Sequence, residues 1–358
     1  MLVVDADTHV DETEATWEHL CGADERFRPR SLDFAGSPSF VVDDARPHRL
    51  WQLDGKFRLR RWRDDKRTGT TKETRELIDV PARLRHMDEL GVDVQVLYTT
   101  FFLTAITDRP EMELALTRAY NHWLAERTAE SKGRLRWVAV LPLLSIDKAV
   151  EELRFAVDHG ACGVFKMGVE CGGRAASDPY FYPVYEEAER LNVPICFHTA
   201  VGDPHRDVAA SARANPNELQ LNAISAFGSL VVNGVPDLFP KLRFGWIEAS
   251  SSWVPYLMHD LEAKRARLTA LQGFDFKRDL FREYRFYVTC DTMDDLPYIL
   301  NYGTEDALMV GSDYSHADQS AELDAIQRIR QMGADGQIPE RVAQKIVSDN
   351  PLKFYGLA

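Results

Sequence analysis

Short apolar runs recur along the chain, each followed by a longer stretch with helical patterning. The runs are Val3–Asp7, Val94–Thr99, Leu135–Leu141, Gly163–Met167, Pro194–His198, Arg243–Glu248, Arg285–Cys290 and Ala307–Asp313. Most are apolar on consecutive positions, as expected of parallel strands covered on both faces. Between them, Pro81–Leu90 sets Leu84, Met87 and Leu90 on one face and stops at Gly91. Pro110–Ser131 is long and amphipathic, and Ser145 is placed to cap a helix running through Val157 to Gly160. Asp178-Pro179 opens the next helix, through Leu191, and Pro216 opens one that ends near Gly234. Trp253–Leu271, Met293–Leu300, Ser320–Met332 and Pro339–Val347 complete the set. This alternation predicts an α/β chain, a single-domain (β/α)8 TIM barrel spanning 1–358. An open doubly wound sheet is the alternative, but no Gly-rich phosphate turn follows the first strand.

Residues 22–79 break the rhythm. Within them, Leu50–Leu59 carries Asp54-Gly55 between two strand-like runs, a hairpin signal. The segment follows the first strand, on the side where barrels hold their sites. It is expected to be a lid over the site or a contact with a second copy of the chain, so a homodimer is expected.

Composition narrows the function. The chain has 358 residues, 45% hydrophobic and 28% charged, enough to bury a full core. Its net charge of −13 argues against nucleic acid as the main partner, because phosphate needs a basic face. No apolar stretch approaches the ~18 residues that span a bilayer. The N-terminus has no basic region of the kind a signal peptide carries. The five cysteines are scattered without a CxxC pair and read as reduced thiols. The expectation is a soluble, cytoplasmic protein acting on a small molecule.

The strand ends carry the chemistry. Asp7 and His9 close the first run, two residues apart and so on one side of a strand. His198 closes the fifth run and Asp313 the eighth. All lie at C-terminal strand ends, where catalytic groups converge in barrels. Two carboxylates and two imidazoles suit a divalent metal, Zn first with Mn or Fe as alternatives, better than Ca or Mg. Asp313 could take a proton as well as bind metal, and Glu248 ends the sixth run. His205, His316 and Trp253 are candidate substrate contacts. The run Lys56–Arg67 holds seven Lys/Arg, either a cation over the site for a carboxylate substrate or a solvated hairpin face.

These motifs resemble the amidohydrolase superfamily, in the branch typified by aminocarboxymuconate-semialdehyde decarboxylase. Asp7-Thr8-His9 is similar to its HxH motif, with Asp in the first place. The segment from Arg83 to Asp93 resembles its "MDE-G-D" stretch, and Asn192–Thr199 its fifth strand. Gly311-Ser312-Asp313-Tyr314-Ser315-His316 resembles its "GSDYPH" signature, with Ser315 for Pro, and Asn350–Gly356 its closing segment. The resemblance implies one divalent metal held by Asp7, His9, His198 and Asp313, with decarboxylation or hydrolysis as the reaction. In binuclear members of the superfamily a lysine at the position of Lys166 bridges two metals, which the mononuclear branch does without. The branch's decarboxylases end the sixth strand in a catalytic His, and here that position is Glu248. An imidazole donates a proton near neutral pH, whereas a carboxyl does so only when its pKa is raised. That departure favours, as the first expectation, a metal-dependent hydrolase acting through activated water on a small carboxylated, cyclic or aromatic compound. A non-oxidative decarboxylase of an aromatic or unsaturated acid is the second, and a barrel retained only for binding the third.

Overall fold

The computed structural model describes residues 2–34, 48–60, 63–200, 218–273, 275–317 and 321–357. Eight parallel strands form one sheet that curls into a nearly closed barrel. They are β1 (Val4–His9), β2 (Val94–Tyr98), β3 (Leu135–Ala139), β4 (Ala161–Lys166), β5 (Ile195–His198), β6 (Phe244–Ile247), β7 (Phe286–Cys290) and β8 (Leu308–Val310). Strand order follows chain order, with a helical connection after each strand, which is the (β/α)8 arrangement. Nearly every strand residue is buried, because helices cover one face and the filled interior the other.

The seam between β8 and β1 is closed by the segment after β8. Asp313 N donates to Asp7 O at 3.0 Å, and His9 N donates to Tyr314 O at 2.8 Å. Ser312 donates to both carboxylate oxygens of Asp5, from N at 2.8 Å and from Oγ at 2.6 Å. Gly311 makes this approach possible: a Cβ there would lie 2.4 Å from the Asp7 Cβ.

Several boundaries differ from the sequence expectation. The eighth strand stops at Val310, and 311–313 reach the site as an irregular strap. The helix expected from Met293 is a short turn, Leu296–Ile299, because Asp295 caps it later by accepting from Tyr298 N. The helix expected from Ser320 begins at Ala325. The one expected to end at Val347 continues through a π turn, Lys345–Asp349, into Asn350–Tyr355. Ser145 precedes the helix Ile146–Asp158 as expected, yet its side chain makes no cap bond. Pro216 lies outside the described residues.

Asp54 (φ 48°) and Gly55 (φ 71°) both take left-handed conformations, turning the chain between strands His48–Leu53 and Lys56–Arg60. A third strand, Arg30–Phe34, pairs antiparallel with the first of these and went unrecognised in the sequence. The sheet rests on the residues after β2. Trp51 meets Trp17 and Phe101 edge-on, and Arg58 donates to Ala105 O and Ile106 O.

Candidate metal centre

Strand ends deliver side chains to one point at the C-terminal mouth of the barrel. Asp7 and His9 come from β1, and His198 ends β5. Glu248 follows β6, and Asp313 sits on the strap after β8. His9 Nε2 lies 3.6 Å from Asp7 Oδ1, 3.5 Å from Asp313 Oδ1 and 3.5 Å from Glu248 Oε2. His198 Nε2 lies 3.5 Å from Asp7 Oδ1 and 3.2 Å from Glu248 Oε2. These side chains are buried, Glu248 being the most exposed at 11%.

The imidazoles are aimed by the backbone. His9 Nδ1 lies 2.9 Å from Thr99 O, and His198 Nδ1 lies 2.8 Å from Thr199 O. A carbonyl only accepts, so each Nδ1 carries the hydrogen and each Nε2 turns its lone pair toward the cluster. His9 Nε2, His198 Nε2 and Asp7 Oδ1 are buried and make no hydrogen bond. Buried polar atoms without partners are costly, and a divalent cation is the ligand that satisfies imidazole nitrogens and carboxylate oxygens together. The residues therefore fit a metal. Without one, burial pushes the His198 imidazole down, but Asp7 and Glu248 outweigh it and hold it up at about 9.

Two of the site residues are backbone outliers. Glu248 (φ 53°) and Asp313 (φ 50°) are both left-handed, a conformation that costs a non-glycine residue ~1–3 kcal/mol and persists only where the surroundings enforce it. Around Glu248 the enforcement is by hydroxyls: its N donates to Thr289 Oγ1 at 2.8 Å, and its O accepts from Thr199 Oγ1 at 2.6 Å. The next turn is gathered by Asp294, whose carboxylate accepts from Ser250 Oγ, Ser251 N, Ser251 Oγ and Ser252 Oγ.

The other sequence candidates fall differently. His316 is buried and stacks on His9 at 3.9 Å, with Nδ1 2.7 Å from Asp313 Oδ1 and Nε2 3.0 Å from Thr100 Oγ1. It braces Asp313. Trp253 packs on Phe227 and Trp246 and donates from Nε1 to Ser250 O, which braces the loop after β6. His205 lies outside the described residues. Phe165 of β4 faces His198, with ring centroids 6.0 Å apart. Its neighbour Lys166 points the opposite way, 3.4 Å over the Phe181 ring and 3.6 Å from Glu170 Oε1. Lys166 is therefore turned away from the metal cluster, which removes the bridging role known in binuclear relatives.

Asp291 was missed in the sequence. It directly follows β7, so the same strand-end rule that singled out Asp313 points to it. Burial pushes its carboxyl up to about 7, with Asp294, Glu248 and Asp7 adding to the effect. Beside the centre lies a small cleft lined by Phe102, Ala105, Ile106, Leu141, Phe165 and Glu113 among others. Arg58 sits against the Ala105 and Ile106 carbonyls of that cleft, with no acidic partner among the described residues. In the same run, Arg60 lies beside Glu76, Arg63 on Asp11, and Arg67 on Ala317 O. Among the described residues, no helix is long and apolar enough to cross a membrane.

The sequence profile of a family described as amidohydrolase matches residues 4–357. A curated relative, 2-amino-3-carboxymuconate-6-semialdehyde decarboxylase of Dictyostelium discoideum, is 24% identical over 78% of this chain and 77% of its own. Gamma-resorcylate decarboxylase of a Rhizobium species is 26% identical over 70% of this chain and 84% of its own. Among solved structures, an amidohydrolase from Mycobacterium avium subsp. paratuberculosis superposes with a TM-score of 0.78 at 20% identity, covering 99% of both chains. A dihydroxybenzoic acid decarboxylase from a Polaromonas species, solved with bound manganese, gives 0.60 at 21% identity, over 77% of this chain and 85% of that one.

Proposed function

The chain is an enzyme of the amidohydrolase family, and on that premise we propose that it is a metal-dependent, non-oxidative decarboxylase of an aromatic or unsaturated carboxylic acid. The observation that carries the reading is the pair of imidazoles whose Nδ1 atoms are tied to carbonyls and whose Nε2 atoms meet buried carboxylates. Asp7, His9, His198 and Asp313 are the residues that would hold one divalent cation. When bound, the cation supplies positive charge against the oxygens of an acidic substrate. Bound manganese in the Polaromonas enzyme and the carboxylate-rich donor set support Mn ahead of the Zn expected from the sequence. The substrates named for the two curated relatives, both carboxylic acids, support decarboxylation ahead of hydrolysis.

The chain's own groups supply the rest. Arg58, against the carbonyls of the cleft, is the cation suited to a second acidic group on the substrate. Phe165 offers an aromatic face beside His198. The bond from the carboxyl carbon to the substrate breaks, CO2 leaves, and a proton takes its place on carbon. With Glu248 standing where the branch's decarboxylases carry a histidine, that proton comes from a carboxyl. Glu248 and Asp291 are the two candidates. Glu248 also favours hydrolysis as a second reading, because a carboxylate serves water activation as well as an imidazole does. The test is a panel of hydroxylated benzoates and carboxymuconate-like acids incubated with metal-loaded enzyme. CO2 release without consumption of water is expected. Cleavage of esters, lactones or amides with no CO2 from any acid would replace this reading with hydrolysis.

A further inference from the structure

Glu248 does not stand at the edge of the cluster as a proton donor would; it stands inside it. Its Oε2 is 3.2 Å from His198 Nε2 and 3.5 Å from His9 Nε2. Asp7, His9, His198 and Glu248 bring ligand atoms within 4.8 Å of one another, and so do His9, Glu248, Asp313 and His316. Glu248 and His9 are common to both groups. Two ligand atoms each ~2.1 Å from one cation, and about 90–110° apart, sit ~3.0–3.4 Å from each other. The Glu248 separations match that spacing as well as those of Asp7 and Asp313 do. The backbone supports the same conclusion. Residue 248 is held left-handed by hydroxyls from both neighbouring strands, and this conformation sends the side chain into the barrel mouth.

We propose that Glu248 is a direct ligand of the metal through Oε2, making a set of two imidazoles and three carboxylates. This rests on the metal centre of the reading above and departs from the branch, where the residue at this position is a catalytic histidine. Three carboxylates leave a net negative charge around a divalent ion. Oxygen-rich sets of this kind suit six-coordinate Mn2+ better than four-coordinate Zn2+.

The test needs no substrate. Chelator-stripped wild type, Glu248→Gln, Glu248→Asp and Asp291→Asn are titrated with Mn2+, free ion being counted by its EPR signal. Thermal melts check folding, and Zn2+ competition reads selectivity. Losing an outer-shell partner costs about 10–100-fold in affinity. Glu248→Gln is expected to lose more than about 100-fold and to shift preference toward Zn2+, while Asp291→Asn stays within that outer-shell range. A Glu248→Gln affinity within about 100-fold of wild type overturns the assignment. If the Gln variant fails to fold, Glu248→Asp decides, because it keeps the charge but retracts the oxygen. Affinity equal to wild type in Glu248→Asp also overturns it. A wild type that binds neither ion overturns the metal centre itself, and Glu248 with it. A wild type that binds Mn2+ but releases no CO2 from any acid fails only the decarboxylase reading.

Discussion

The two strained carboxylates of the site sit in similar backbone conformations but are held by different means. Asp313 is part of the barrel seam: its own N–H bonds to strand β1, Gly311 lets the strap touch Asp7, and His316 braces its side chain. Glu248 is held by side chains. Two threonine hydroxyls grip its backbone, and Asp294 gathers the serines that follow. Main-chain pairing that closes the sheet cannot be altered without opening the fold. Hydroxyl and carboxylate tethers can be altered one at a time. The seam end should therefore respond to mutation by losing stability and metal together, and the β6 end by changing metal affinity and chemistry while the barrel stands.

The largest effect should come from losing an imidazole of the cluster. His198→Ala is expected to take bound metal from about one ion per chain to near zero and to abolish turnover, read by elemental analysis and a CO2 assay. Next is Gly311→Ala on the seam side, where the added methyl meets backbone and the Asp7 Cβ. Overpacking of this kind costs ~3 kcal/mol, and denaturant unfolding should show the loss together with reduced metal content. If Gly311→Ala is as stable as wild type, the seam is not the rigid end. Asp294→Ala removes the acceptor for three serines and should cost ~2 kcal/mol, with metal retained and kcat reduced. Equal loss of metal there would erase the contrast between the ends. Thr289→Val leaves the Glu248 N–H without its acceptor, at ~1 kcal/mol, and should raise the metal off-rate slightly.

A separate effect, read only through pH, lies outside both ends, in the cleft. Burial pushes the Glu113 carboxyl up to about 8 from its ordinary 4.5, Glu170 adding to the effect against a hydrogen bond from Leu144 N. The folded chain then binds more protons than the unfolded one between those values, so this group makes stability fall as pH rises from about 4.5 to about 8. Glu113→Gln should flatten that slope in unfolding curves taken across the window. A variant curve parallel to wild type would show that Glu113 is ionised in the folded protein.

Much of the centre was legible in the sequence. Asp7, His9, His198 and Asp313 end apolar runs, and a barrel brings strand ends together whatever its loops do. Asp291 was equally available to that rule and was missed because the run was read as stopping at Cys290. Lys166 and Phe165 show the limit of reading position alone. Both close β4, but alternation sends one toward His198 and the other over Phe181. Trp253 and His316 show it again. Each lies near the site in sequence, yet one ring packs in the helix layer and the other is taken up by Asp313 and Thr100.

What the sequence by itself determined was the count of barrel strands and the ligand-type residues at their ends, because burial periodicity and donor chemistry are local properties. What only the tertiary structure decided was direction. Glu248 turns into the cluster because hydroxyls 49 and 41 residues away in the chain hold its backbone left-handed. Asp313 reaches the same point because a glycine lets a strap after β8 close on β1. The first contacts need β5, β6 and β7 paired side by side, and the second exist only once the barrel has curled its first and last strands together.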